Sequence, residues 1–193
     1  MKSICVYCGS SAGSTEAYSI GARQLATSLV NNHLSLVYGG GNVGLMGIIA
    51  DEVMRLGGHV TGVIPQALMD KEVGHTQLDQ LHIVRNMHER KALMTELSDG
   101  FIAMPGGIGT LEELFEMFTW LQLGFHEKPL GLLNINGFFD TLILFLKQTV
   151  QKKFLQEKHL NMLIIESDPD RLLQRFKDFK PQDVDKWLNK DDI

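Results

Sequence analysis

The stretch Pro105-Gly106-Gly107-Ile108-Gly109-Thr110-Leu111-Glu112-Glu113 joins residues suited to holding an anion with a carboxylate that an anion site does not need. A short apolar run, residues 101–104, reads as a buried strand before it, and a long apolar-rich segment reads as a helix after it. Glycines at such a junction let a ligand approach the backbone closely. The first turn of the helix adds unpaired N–H groups and a positive dipole end. A phosphate fits the backbone of Gly106, Gly107, Ile108, Gly109 and Thr110. Electrostatics alone would not put Glu113 beside a phosphate, so it invites a chemical role. The competing reading is structural: Thr110 and Glu113 also spell a T-x-x-E capping box with Thr110 as N-cap.

Arg90 is the second residue out of place. With Leu93, Met94 and Leu97 it follows the i, i+3, i+4, i+7 pattern, so a cation lies on the apolar stripe of a predicted helix. It also stands near the helix N-terminus, where the dipole disfavours positive charge. That position implies an anionic partner, a carboxylate or a phosphate, unless the side chain merely snorkels at the end of the stripe. Lys91, about 100° further round, could face either the site or solvent.

Two further glycine loops follow predicted strands. Gly39-Gly40-Gly41-Asn42-Val43-Gly44 contains G-x-G-x-x-G, but the next strand runs out at Ile64-Pro65-Gln66, without the acid that holds a dinucleotide ribose. A mononucleotide site remains open to it, with Gly40 and Gly41 as candidates. Gly9-Ser10-Ser11-Ala12-Gly13-Ser14 supplies hydroxyls and backbone donors, with Ser10 as the candidate contact, or serves as an ordinary turn. The only cysteines, Cys5 and Cys8, are spaced C-x-x-C inside and at the end of a strand. Alternation sends them to opposite faces, which favours two buried thiols over a redox or metal pair. The seven histidines have no metal-ligand spacing, and neither a metal nor a cofactor is expected.

These residues need elements to position them, and the chain alternates apolar runs with helical patterns throughout. Strands are predicted at residues 3–8, 34–38, 59–64, 81–84, 100–104, 130–133 and 162–165. Helices are predicted at 15–31, 45–56, 87–97, 111–123, 138–154, 169–176 and 181–188. Several of these strands are nearly all apolar, as expected for parallel strands covered by helices on both faces. The fold class is therefore α/β, a single-domain doubly wound, mostly parallel Rossmann-like sheet, its ligand crevice at the carboxyl ends of the strands. A chain of 193 residues suffices for one such domain. A net charge of −5 offers no general basic surface, so a phosphate-bearing small molecule fits better than a nucleic acid polymer. The N-terminal apolar run is too short for a signal peptide, and polar residues interrupt the apolar region 129–146, so neither secretion nor a membrane is expected and the location is cytoplasmic.

Taken together, M-x-x-R-K at Met87, Arg90 and Lys91 and P-G-G-x-G-T-x-x-E from Pro105 to Glu113 resemble the Lonely Guy family of cytokinin-activating phosphoribohydrolases. C-G-S-S from Cys8 and G-G-G-x-x-G-L-M-G from Gly39 match it too, and Ile108 occupies the variable place of its motif. The resemblance implies hydrolysis of the N-glycosidic bond of a purine nucleoside 5'-monophosphate, a cytokinin riboside monophosphate or AMP, to free base and ribose 5-phosphate. It also implies that Arg90 and Glu113 are the catalytic pair, and that Glu72, Lys91, Gly107, Ile108, Gly109, Thr110, Leu111, Glu112 and Thr119 contact the nucleotide. Met87 joins them as part of the arginine motif. Members are often labelled lysine decarboxylases, but nothing in this sequence suggests pyridoxal phosphate chemistry.

A nucleotide-binding sensor or carrier is the alternative, and the Arg90 and Glu113 pair argues against it, since phosphate binding alone needs neither. The helix after the phosphate loop carries Leu114, Phe115, Met117, Phe118, Trp120, Leu121 and Leu123, leaving little of its surface polar. One sheet face covers one side of it. A homodimer packing this helix, with the 138–146 segment, against its mate is expected, and the resemblance points the same way.

Overall fold

The computed structural model describes residues 1–71 and 74–181; Glu72 and the predicted helix at 181–188, save its first residue, lie outside that range. Seven strands form one sheet in the order β4-β3-β2-β1-β5-β6-β7. They are β1 (Ser3–Tyr7), β2 (Ser35–Tyr38), β3 (Val60–Pro65), β4 (Gln80–Val84), β5 (Phe101–Ala103), β6 (Leu130–Leu133) and β7 (Leu163–Glu166). Every pairing between them is parallel, so the sheet goes further than the mostly parallel expectation. An isolated antiparallel bridge, Gly41 to Gly74, lies outside the strands.

The helices are α1 (Glu16–Asn31), α2 (Gly44–Arg55), α3 (Gln66–Met69), α4 (Met87–Glu96), α5 (Ile108–Leu123), α6 (Asp140–Gln151), α7 (Glu157–Leu160) and α8 (Pro169–Asp178). Alternation along β1 sends Ile4, Val6 and Cys8 to one core, under α1, α2 and α8. Cys5 and Tyr7 go to the other, under α4, α5 and α6. The two cysteines thus face opposite sides of the sheet, as free thiols. β1 pairs with β2 on one side and β5 on the other, so strand order reverses there. A doubly wound sheet opens its crevice at that reversal, beyond the carboxyl ends of the strands. No helix among the described residues is long and apolar enough to cross a membrane.

Three local features depart from the sequence reading. Helix α5 begins at Ile108, with Gly107 as its N-cap and no side-chain cap. Thr110 is therefore inside the first turn and Glu113 nearly a turn beyond any capping position, which overturns the capping box. The predicted 138–154 helix is shorter, α6 being preceded by a 3-10 turn at Ile135–Gly137. Asn134 causes this break: its Oδ1 accepts from the Phe139 N–H at 2.7 Å and its Nδ2 donates to Asp140 at 2.7 Å, while Asn136 takes φ 52°. The four-residue helices α3 and α7 were not predicted, being too short to show a period.

Candidate active site

The strand ends enclose a cleft of about 640 Å³. The loop after β1 contributes Cys8, Gly9 and Ser10, and the turn after β2 contributes Gly39 and Gly41. Arg90 enters from α4, and the start of α5 brings Gly107, Ile108, Gly109, Thr110 and Glu113. Val43, Met46, Ile64 and Leu68 make an apolar wall. The three glycine loops of the sequence therefore do meet in one place.

The glycines at the head of α5 divide by purpose. A Cβ on Gly106 would stand 2.1 Å from Thr110 Oγ1 and 2.9 Å from the Gly9 nitrogen, so Gly106 answers to the protein's own packing. A Cβ on Gly107 or Gly109 would meet nothing within 4 Å. Their bareness serves no internal contact and leaves the helix N-terminus approachable from the cleft. There the N–H groups of Ile108, Gly109 and Thr110 have no partner within the helix and share its positive end.

Arg90 is buried, and backbone carbonyls hold its guanidinium at the ends of two strands. Nε donates to Val63 O at 3.2 Å and Nη2 to Gly39 O at 3.4 Å. Nη1 lies 3.7 Å from the sulfur of Met87. Nη2 is also 3.9 Å from Glu113 Oε1, with both side chains 11% exposed. The anionic partner implied by the sequence is thus a carboxylate at the outer limit of an ion pair, across the cleft wall. Gly39 makes this possible, because a Cβ there would stand 2.0 Å from Nη2.

Burial pushes the Glu113 carboxyl up to about 7, against the downward pull of Arg90; Glu112 raises it further and Lys91 opposes. A carboxyl poised near neutrality, facing a cleft, can hold or release a proton at working pH. Glu112 is spoken for. Its Oε1 accepts from Lys91 Nζ at 2.6 Å, and Glu116 Oε1 accepts from the same ammonium at 2.9 Å. Lys91 therefore faces neither the cleft nor solvent but the seam between α4 and α5. The Cys8 thiol, which does line the cleft, is pushed well above its ordinary range by burial, and Cys5 up to about 12, so both stay protonated.

Of the candidate residues, Ser10, Gly41, Arg90, Gly107, Ile108, Gly109, Thr110 and Glu113 come together on the cleft. Gly40, Met87, Lys91, Gly106, Leu111, Glu112 and Thr119 stand off its lining. Gly40 is turned away at φ +70°, Thr119 is exposed with its hydroxyl donating to Phe115 O, and Glu72 lies outside the described residues. Cys8, Gly39, Val43, Met46, Ile64 and Leu68 line the cleft without having been singled out for it. Cys8, Gly39 and Met46 stood in the C-G-S-S and G-G-G-x-x-G-L-M-G motifs and Ile64 at the end of a predicted strand, while Val43 and Leu68 carried no signal of their own. Among the described residues no group of three or more His, Cys, Asp or Glu is placed to hold a metal.

A profile of the family described as "Possible lysine decarboxylase" matches residues 46–176. Over 180 residues the chain is 46% identical to cytokinin riboside 5'-monophosphate phosphoribohydrolase LOG5 of Arabidopsis thaliana, a match covering 93% of this chain and 79% of the relative. It is 44% identical over 181 residues to the same plant's LOG1, covering 94% and 85%. The chain belongs to the Lonely Guy family. A third member, the probable phosphoribohydrolase LOGL6 of Oryza sativa subsp. japonica, is 42% identical over 181 residues, covering 94% of this chain and 72% of the relative. Among solved structures, the molybdenum cofactor binding protein of Rippkaea orientalis superposes with a TM-score of 0.68 at 22% identity, covering 92% of this chain and 97% of that one. The molybdenum cofactor carrier protein of Chlamydomonas reinhardtii gives 0.68 at 18% identity, covering 92% and 96%. At those identities the likeness is one of fold.

Proposed function

We propose that this Lonely Guy protein hydrolyses the N-glycosidic bond of a purine nucleoside 5'-monophosphate, a cytokinin riboside 5'-monophosphate or AMP, releasing free base and ribose 5-phosphate. One observation carries the reading: Glu113 and Arg90 meet in the cleft that the bare head of α5 also lines. A phosphate on the N–H groups of Gly107, Ile108, Gly109 and Thr110, beside Ser10, directs the ribose toward that pair. As the bond from the anomeric carbon to the base nitrogen breaks, its electrons leave with the base and positive charge grows on the sugar. The Glu113 carboxylate stabilises that charge and orients or deprotonates the attacking water, whose oxygen bonds to the anomeric carbon, while the departing base nitrogen takes up a proton from solvent to balance the one the water gives up. Arg90 favours the ionised form of Glu113 against the opposing effect of burial, and orients the sugar. Water is the only co-reactant the reaction needs.

The names of the plant relatives, at 42 to 46% identity over more than nine-tenths of the chain, support the same chemistry. Lys91 and Glu112 would act from the seam beside the cleft, and Met87 by steadying the guanidinium. The test is a panel of nucleotides incubated with purified protein, with free bases resolved by chromatography. Release of adenine from AMP, or of the base from a cytokinin riboside monophosphate, is expected. Tight binding without release of any base would favour the sensor or carrier.

A homodimer, a cytoplasmic location and a single domain complete the proposal. Leu144 and Phe145, 68% and 58% exposed on α6, support the first, since they fall in the 138–146 segment expected to meet a mate.

A further inference from the structure

His75 is buried, lies outside the cleft lining and is bonded through all of its polar groups that can reach a neighbour. Its backbone N–H donates to Gly40 O at 2.8 Å, next to the Gly41 to Gly74 bridge. Its Nδ1 accepts the Gln77 N–H at 3.2 Å. A nitrogen that accepts carries no proton, so the ring is the neutral tautomer with its proton on Nε2. Nε2 then donates to Asp51 Oδ1, 2.9 Å away on α2. The imidazole is thereby fixed at both ends, and the segment it belongs to is tied across the Gly39, Gly40, Gly41 turn.

That turn is what Arg90 rests on. Gly39 O accepts from Nη2, and the bare Cα of Gly39 leaves the space the guanidinium fills. Gly40 follows at φ +70°, a backbone that strains any side chain, and Gly41 lines the cleft. A shift of the turn therefore moves the carbonyl that aims Arg90. We infer that His75, held by Asp51, is a positioning residue: it fixes the Gly39 to Gly41 turn and through it the guanidinium beside Glu113. This rests on the hydrolase reading for its catalytic consequence, but not for its geometric one.

The experiment uses His75→Ala, Asp51→Ala and Asp51→Asn with two readouts. The first is the ¹⁵N-correlated Nε–H resonance of Arg90, assigned by its loss in Arg90→Lys. The second is steady-state AMP cleavage. Asp51 is largely exposed, which keeps its variants folded even where His75→Ala is not. His75→Ala and Asp51→Ala are expected to shift or broaden the resonance and to lower kcat about tenfold or more, with a smaller change in KM. Asp51→Asn should restore both, because an amide oxygen accepts from a neutral Nε2–H as a carboxylate does. Variants that lower the melting temperature but leave the resonance and kcat untouched would overturn the inference. So would an Asp51→Asn protein as impaired as Asp51→Ala. Should the wild type cleave no nucleotide, the hydrolase reading fails on that result, and the Arg90 resonance alone still decides the clamp.

Discussion

Glu113 is a buried carboxyl whose partner stands at 3.9 Å, and two consequences follow from that distance. Its ordinary value of 4.5 is raised to about 7 by burial that Arg90 only partly offsets. The folded chain thus holds this proton more tightly than the unfolded chain does, and stability drains away as pH rises from about 4.5 to 7. Glu113→Gln has no such proton to lose. At pH 8 it is expected to be more stable than the wild type, by up to the order of 3 kcal/mol. The gain should shrink as pH falls toward 4.5, and denaturant unfolding at several pH values measures it. Catalysis should run the other way: if the carboxylate form stabilises the sugar cation, kcat/KM rises with pH through about 7, and a pH profile of base release checks the sign.

At the scale of the element, α5 is where stability and binding separate. Gly109→Ala places a methyl in open space and replaces a poor helix former, so the melting temperature should hold or rise. The methyl crowds the N–H groups proposed to hold the phosphate, and AMP affinity should fall about tenfold or more by calorimetry. Gly106→Ala, which collides with Thr110 and the Gly9 backbone, should lose stability instead. The start of this helix was the part of it least legible in the sequence, because glycines blur the 3.6-residue period that marks a helix. All seven strands were legible, to within two residues at each end, as short apolar runs between turn residues, the pattern of strands covered on both faces, although no residue of the edge strand β4 is buried. Arg90 and Glu113 were legible as ionisable residues standing where local rules would not put them. Gly39 was not legible as the seat of Arg90, for that collision exists only once α4 packs on β3 and Arg90 reaches the turn after β2. The apolar wall, drawn from three separate elements, was invisible for the same reason.

At the scale of the whole molecule, the parallel sheet brings strand ends far apart in sequence to one crevice, while α6 turns Leu144 and Phe145 outward. If those side chains meet a mate, light scattering at micromolar concentration should give twice the chain mass of 21.6 kDa, and Phe145→Asp should return it to the monomer. A wild-type monomer at that concentration would remove the dimer. The most direct test of the account as a whole compares base release from AMP by the wild type and by Glu113→Gln, with AMP affinity measured on both. The structure leaves Glu113 no capping duty, so its charge is left with chemistry to do. The variant is expected to bind AMP much as before while losing on the order of 10²-fold or more in turnover. A Glu113→Gln protein that releases adenine at near wild-type rate would contradict the mechanism.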